Sequence, residues 1–268
     1  MDPTPYRVST ITCNASINAK VSLSLFFENI HIKEDGFVWS EYGVASKGVR
    51  PKKKKKDDNT ERQKKCFDNQ VTIIYKIKEG YHPNCKLFKN GNIHMTGIRN
   101  PEDGHKMVDI IANEVRRIAE GGVPVVENIT DIKPGDFKIR MINCDFGFPI
   151  KIRRKNLHIL IINTYQNVCS FQPLTYPGVK LQYFWNAANK NKDGICHCEK
   201  PCFGKGDGLA DGDCKKVTVA VFDSGKTLIT GANTFDQVND AYAYICNIVK
   251  DNTWEVQKVL PGERVTVA

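Results

Sequence analysis

Hydrophobic positions along this chain recur with two periods, and the same sequence of periods is met twice. Val71, Ile73, Tyr75 and Ile77 alternate with Thr72, Ile74, Lys76 and Lys78, which predicts a half-buried strand with a basic outer face. Around the turn residues Asn90 and Gly91, Leu87, Ile93 and Met95 alternate with Phe88, Asn92, His94 and Thr96. That pattern predicts a hairpin with one face toward a core and a large aromatic on the other. Met107, Ile110, Ile111, Ala112 and Val115 then fall at helical spacing between residues 102 and 117. Arg116 and Arg117 complement the dipole at the carboxyl end of that helix, and Gly121 and Gly122 stop it. Ahead of these elements the chain predicts a strand at residues 7–13, a helix of two or three turns through Ile17, Val21 and Leu25, and a strand at residues 36–45.

The second half predicts a strand at residues 137–144, a helix around residues 155–164, a short turn at residues 171–178 and a strand at residues 179–184. A hairpin about Ser224 and Gly225 and a closing helix at residues 235–250 follow, then a tail in which RVTVA has the alternation of a short strand. Laid back on the first half at a constant offset of 134, Phe222 falls on Phe88, Gly225 on Gly91, Thr230 on Thr96, Gly231 on Gly97 and Ile245 on Ile111. Two copies of strand, turn, strand and helix signal an internal duplication and a pseudo-twofold domain rather than an array. The boundaries so predicted are a first repeat at residues 1–120, a connector at 121–135, a second repeat at 136–252 and a tail at 253–268. Each repeat carries an insertion, a lysine-rich one at about residues 46–66 and a cysteine-rich one at about 185–216.

Composition narrows the picture modestly. With 39 basic and 30 acidic side chains in 268 residues the net charge is +9, which suits an anionic partner such as nucleic acid but also a merely soluble basic protein. The run Lys52, Lys53, Lys54, Lys55 and Lys56 has no apolar periodicity and is expected to be a mobile excursion. The start MDPTPYRVST shows no secretory pattern, and the longest apolar runs are too short to cross a bilayer, so a soluble intracellular protein with no membrane partner is expected. Its ten cysteines are then expected to be reduced, with Cys13, Cys144 and Cys246 as core residues.

Candidate chemistry is sparse. Cys196, Cys198, Cys202 and Cys214 are four thiols in one loop, able to hold a structural zinc, although their spacing is not the usual pair of C-x2-C elements and a flexible reduced loop is the alternative. The stretch from Ser224 to Thr227 imitates the end of a phosphate-binding loop, but Ala220 stands where its first glycine belongs and a strand is predicted to follow. Asp207, Asp211 and Asp213 lack the spacing of a calcium loop, and His82 with Cys85 lacks a third member. No catalytic constellation or small-molecule site is expected, and no cofactor is required.

FDSGK followed by LITGA, residues 222–226 and 228–232, resembles the hairpin signature of the TATA-box-binding protein family. FKI at 137–139, NCD at 143–145, FPI at 148–150 and YPG at 176–178 resemble further segments of that family's second repeat. The resemblance covers nearly both repeats apart from the insertions, and its divergence is similar to that of versions encoded by large DNA viruses. It implies an α+β saddle, one curved antiparallel sheet of ten strands with four helices on its convex face. It further implies a transcription initiation factor that sits in the minor groove of A·T-rich double-stranded promoter DNA and kinks it with aromatic wedges, the mechanism for which this family is the type case.

By position, the resemblance implies that the wedges are Phe67 and Phe88 in the first repeat and Tyr176 and Phe222 in the second, Tyr176 departing from the family's phenylalanine. Thr96, Leu228 and Thr230 match groove-facing positions, while His94 replaces a valine. Lys76, Lys78 and Lys226 match phosphate-binding positions; Asn92 and Gln182 stand where the family has cations, and the lysines at 52–56 are placed to compensate. The family's two central asparagines have no counterpart near Tyr6, Ile139 or Met141, and its acidic contacts to a TFIIB-like factor are replaced by Gln172 and Leu174. Partners among the RNA polymerase machinery, in the nucleus or a cytoplasmic viral factory or packaged in the virion, are what the resemblance implies. The alternatives are a binder of the same fold without base selectivity, and a protein-interaction scaffold whose insertions cover the DNA-binding face.

Overall fold

A computed structural model of the chain describes residues 2–51 and 68–258. It divides into two compact units, one comprising Thr10–Arg140 and the other Met1–Ser9 with Met141–Ala268. The division falls inside the two strands that open the repeats, β1 (Arg7–Ser16) and β7 (Gly135–Gly147).

The Thr10–Arg140 unit contains α1 (Leu23–Asn29), β2 (Phe37–Tyr42), β3 (Ala45–Gly48), β4 (Gln70–Tyr75), β5 (Asn84–Phe88), β6 (Asn92–Ile98) and α2 (Pro101–Glu120). Its sheet runs β3-β2-β4-β5-β6-β1, with neighbouring strands antiparallel. Alternation works as the hydrophobic pattern predicts: Val71, Ile73, Cys85, Leu87, Ile93, Met95 and Cys13 are completely or almost completely buried. On α2, Met107, Ile111, Ala112, Val115 and Ile118 bury the matching stripe. Asn100 caps that helix by accepting from the Asp103 N–H at 2.7 Å, and Pro101 follows at the first turn, where a missing N–H costs nothing.

The other unit repeats the plan with β7, α3 (Arg154–Asn163), β8 (Val168–Gln172), β9 (Tyr176–Trp185), β10 (Lys215–Val221), β11 (Lys226–Ala232), α4 (Phe235–Asp251) and the short α5 (Thr253–Val256). Its sheet order is β7-β11-β10-β9-β8, also antiparallel. Val179, Leu181, Val217, Val219, Val221 and Ile229 face a core closed by Val238, Ala241, Ile245, Ile248 and Val249 of α4. A capping box holds the start of α4, with Thr234 accepting from the Gln237 N–H and the Gln237 side chain returning to the Thr234 N–H. No helix among the described residues is long and apolar enough to cross a membrane.

The expected α+β class with antiparallel sheets is found, with differences in detail. Eleven strands are described where ten were expected, because the predicted strand at 36–45 turns back at Gly43 and pairs with a separate β3. The helix expected through Ile17, Val21 and Leu25 is only the seven-residue α1. Ile17 and Val21 are buried in extended chain instead, their N–H groups donating to the carbonyls of Gly91 and Lys89 at 3.0 and 2.9 Å. The strand expected to carry Ile77 and Lys78 ends at Tyr75, so Lys76 and Lys78 lie beyond it. Residues 171–178 are not a turn throughout: β8 and β9 occupy most of that span, and Tyr176 opens β9. Cys13 and Cys144 are core residues as expected, whereas Cys246 is only half-buried.

The two hairpins that carry the repeat are built alike. Each has a short loop, three residues between β5 and β6 and four between β10 and β11, closed by a glycine with φ of +82°, Gly91 in one and Gly225 in the other, so the Asn-Gly signal marks a bulged loop rather than a two-residue turn. A Cβ on Gly91 would lie 2.3 Å from the Ala19 carbonyl oxygen, and one on Gly225 2.4 Å from that of Ile150. Both loops are therefore pressed against the segment that follows the opening strand of their own unit.

Candidate nucleic-acid interface

In each unit the sheet face opposite the helices carries the residues singled out by alternation. In the Thr10–Arg140 unit the paired rows are Thr72, Lys86, His94 and Asn14 across β4, β5, β6 and β1, and Asn84 opposite Thr96 beside them. Phe88 closes β5 on this face, half-buried and opposite Gln70. A cavity of about 810 Å³ opens here, lined by Phe88, His94, Lys86, Lys89, Lys138 and Arg140 among others. An aromatic ring thus shares a cavity with four cations and one carboxylate, that of Asp136, on a face that carries no helix.

His94 is the pivot of that cavity. Burial, with the neighbouring Lys86 ammonium, holds its imidazole below the ordinary histidine value, which favours the neutral ring. With the Asn14 amide oriented to suit its neighbours, its nitrogen donates to His94 Nδ1 at 2.8 Å and its oxygen accepts from Arg140 Nε at 3.1 Å. Nδ1 then accepts, leaving Nε2–H as the ring's donor.

In the other unit Tyr176 and Phe222 stand together, ring centroids 5.8 Å apart and planes inclined at 53°. Gly178 lies beneath them: a Cβ there would come within 2.8 Å of the Tyr176 ring and 3.2 Å of Phe222. Lys180 places its ammonium 3.8 Å from the Tyr176 centroid, a close cation–π contact. The same face continues through Gln182, Thr218 and Thr230 in one row and Lys180, Ala220, Leu228 and Asp145 in the next. Arg7 donates from Nε to both Asp145 oxygens, at 3.1 and 2.9 Å.

Of the residues expected to act on DNA, Phe88, Thr96, Tyr176, Phe222, Leu228 and Thr230 lie on these faces, each half-buried. Lys226 is exposed at the start of β11 and Lys78 beyond the end of β4. Lys76 is engaged otherwise: its ammonium pairs with Asp35 at 3.0 Å and Glu79 at 3.5 Å, and the Asp35 hydrogen bond is the main cause of its raised pKa. A phosphate would have to displace both carboxylates. Phe67 and Lys52, Lys53, Lys54, Lys55 and Lys56 lie outside the described residues. Sequence reasoning missed Lys86, Lys89, Lys138, Arg140, Lys180 and Arg7; the signal for Lys86 was its place two residues before Phe88 on one strand face.

Residues 186–214 reach this face only at its far end, away from the Tyr176 and Phe222 rings. Gly204 lies against the Phe184 ring and the Lys216 side chain on the ring-bearing side of β9 and β10, while Gly208 lies against Trp185. Phe184 is eight residues along β9 from Tyr176, roughly 26 Å at the rise of an extended strand. Asp207 accepts from Asn233 at 2.6 Å and its carbonyl from Gln237, and Lys192 pairs with Asp240 at 2.7 Å, so the insertion is also tied to the first turns of α4.

The discarded motifs look inert in three dimensions. Cys85 is fully buried, and burial pushes its thiol up to about 12, so no thiolate is available at neutral pH. Thr227 is buried, with its hydroxyl donating to the Gly225 carbonyl. The Asp211 and Asp213 carboxylates accept backbone N–H groups of Glu199, Lys200 and Asp207.

Comparison with known proteins follows the same lines. Residues 195–252 match the family described as transcription factor TFIID, or TATA-binding protein. The chain is 28% identical over 279 residues to a TATA-box-binding protein-like protein of Acanthamoeba polyphaga mimivirus, covering 95% of this chain and 67% of that one. Among solved structures it is similar to the TATA-binding protein of Methanococcus jannaschii, with 14% identity, a TM-score of 0.50 and coverage of 92% of this chain and 99% of the other, a likeness that shows the fold. With the repeated strand, hairpin and helix plan, these matches show that the chain has the fold of the TATA-binding protein and is similar to that family over residues 195–252 and to a viral relative along most of its length.

Proposed function

We propose that the protein is a transcription initiation factor that binds A·T-rich promoter duplex through the minor groove, bends it and performs no chemical step. The observation that carries this reading is the set of rings Phe88, Tyr176 and Phe222, half-buried on sheet faces that carry no helix and flanked by cations. Half-buried rings of this kind are suited to enter between base pairs, where partial unstacking kinks the duplex toward the major groove. Phe67 is the fourth wedge of the proposal. Lys86, Lys89, Lys138, Arg140, Lys78 and Lys226 supply phosphate contacts, with the lysines at 52–56 on the flank. Thr96, Leu228 and Thr230 meet the base edges, where an amino group distinguishes G·C from A·T. The helices α2 and α4 present polar faces to transcription partners, with Gln172 and the fully exposed Leu174 in place of an acidic contact.

The test is equilibrium binding to a fluorescent A·T-rich duplex at several salt concentrations, with wild type and Phe88→Ala/Phe222→Ala. Wild type is expected to bind with a steep negative salt slope, and the variant to lose at least tenfold in affinity. No binding at low salt, or equal affinity of the two proteins, would contradict the reading.

One observation favours a second reading, a binder of the same fold without strict A·T selectivity. Asp145 places a carboxylate in the row of Leu228, held by Arg7, and the Asn14 amide is already committed to His94 and Arg140. Duplexes of equal length and different A·T content separate the two: equal affinities at fixed salt support this second reading.

A further inference from the structure

The insertion at 186–214 has no helix or strand of its own and almost no apolar interior, since Phe203 and Leu209 are each 75% exposed. A loop of that length has little with which to offset the entropy of holding one conformation. Yet four thiols converge inside it. The sulfurs of Cys196, Cys198, Cys202 and Cys214 all lie within 4.8 Å of one another, with Cys198 and Cys214 at 3.4 Å and Cys196 and Cys214 at 3.7 Å. Thiolates bonded to one tetrahedral zinc at about 2.3 Å stand roughly 3.8 Å apart, so a shift of less than about 1 Å suffices.

The surroundings fit thiolate ligands. The Cys198 N–H points to the Cys196 sulfur, and the N–H groups of Gly204 and Cys214 point to that of Cys202. Backbone donors of this kind orient coordinating sulfurs and temper the negative charge of four thiolates around a dication. His197, which sequence places among the cysteines, is turned away and pairs with Asp193 at 2.8 Å. The donor set is therefore all sulfur, which selects zinc or iron over calcium or magnesium.

We propose that Cys196, Cys198, Cys202 and Cys214 bind one structural Zn(II) that fixes the insertion to the end of β9, the start of β10 and the start of α4. Binding displaces thiol protons, and all four positions are filled by sulfur, so the metal has no site left for substrate or water. Two covalent anchors make the clamp effective: Cys214 directly precedes β10, and the Cys202 segment runs into Gly204, which lies on Phe184 and Lys216. The other ties of the loop, Asp207 to Asn233 and Lys192 to Asp240, are polar contacts near the surface and contribute little by themselves. The proposal is independent of DNA binding.

Elemental analysis of the full chain, purified without added chelator, tests it together with thiol titration and limited proteolysis. The expected result is about one zinc per chain, lost in Cys198→Ser and in Cys202→Ser but retained in the control Cys169→Ser. Removing zinc with a strong chelator is expected to expose four further reactive thiols, and to speed cleavage within 186–214 at least tenfold while the rest of the chain stays intact. Readdition of Zn(II) should restore protection. Stoichiometric iron in place of zinc, a disulfide between any two of the four, or equal thiol reactivity and cleavage with and without chelator would overturn the proposal. If a serine variant fails to fold, the chelator and readdition arms on wild type decide the matter.

Discussion

At the residue scale, the account turns on how side chains share a strand face. Phe88 and Phe222 were legible from alternation alone, because residues two apart share a face and their partners Leu87 and Val221 are apolar. The groups that frame them were not. Lys138 and Arg140 are some fifty residues from Phe88 in sequence and reach the same cavity only through strand pairing, which composition does not encode. Gly178 likewise read as a turn residue, whereas its missing side chain makes room for two rings. Gly178→Ala should therefore push the Tyr176 and Phe222 rings apart while leaving the sheet intact. The expected outcome is a weaker DNA bend with thermal stability within about 1 kcal/mol of wild type, since only movable ring atoms are crowded; circular dichroism melting and a bend measurement check it. At the cavity, Lys86→Ala and Arg140→Ala should each lower the salt slope of DNA binding by about 1, as expected for loss of one phosphate contact. An unchanged slope would place those cations off the duplex.

At the element scale, local signals succeeded where they coincided with burial and failed where tertiary contacts overrode them. The stripe of α2 was readable because helix period, the arginines of the last turn and the glycine stop agree. Ile17 and Val21 have helical spacing, yet their N–H groups are satisfied by the hairpin carbonyls of Gly91 and Lys89, so the segment stays extended. The close approach that makes this possible demands glycine, and Gly225 repeats it. Gly225→Ala meets the Ile150 and Phe148 carbonyl oxygens at 2.4 and 2.5 Å in addition to an unfavourable backbone conformation, so a loss of about 2 kcal/mol or more is expected in a denaturant melt.

A second contact binds α1 to α2. Glu114 is nearly buried, accepts from the His31 N–H at 2.8 Å and receives two hydrogen bonds from Arg117, which also donates to the Asn29 carbonyl. Burial alone would raise the Glu114 carboxyl, but the bonds from Arg117 and His31 outweigh it and hold its pKa below the ordinary value of 4.5. A carboxyl whose pKa is depressed by folding contributes stability that is fully present above its unfolded value and fades as pH falls through its folded one. Glu114→Gln should thus destabilise by about 2 kcal/mol at neutral pH, and the difference from wild type should shrink below about pH 4.5. A constant difference down to strong acid would remove the ionised carboxylate from the explanation.

At the scale of the whole molecule, duplication is what made the chain readable. A constant offset of 134 brought Phe222 onto Phe88 and Thr230 onto Thr96, and in the structure Thr96 and Thr230 are each fifth in their strands, while Phe88 ends β5 and Phe222 directly follows β10. The repeats have nonetheless diverged in what flanks their rings: a cavity lined by Phe88 with four cations and Asp136, and a packed pair with one cation on Tyr176 in the other unit. Insertions obey no repeat, so the convergence of four cysteines from 196 to 214 could be suspected from their density but not located from spacing that fits no common zinc signature. The described insertion leaves Tyr176 and Phe222 uncovered, which weakens the reading of the protein as a scaffold with a blocked face.

The most direct measurement of the central claim is the bend itself, read by energy transfer between dyes at the two ends of a short A·T-rich duplex. Wild type is expected to shorten the end-to-end distance markedly at saturation, and Phe88→Ala/Phe222→Ala to leave the duplex nearly straight even at concentrations that saturate binding. A duplex bent equally by both proteins, or left straight by a bound wild type, would contradict the account.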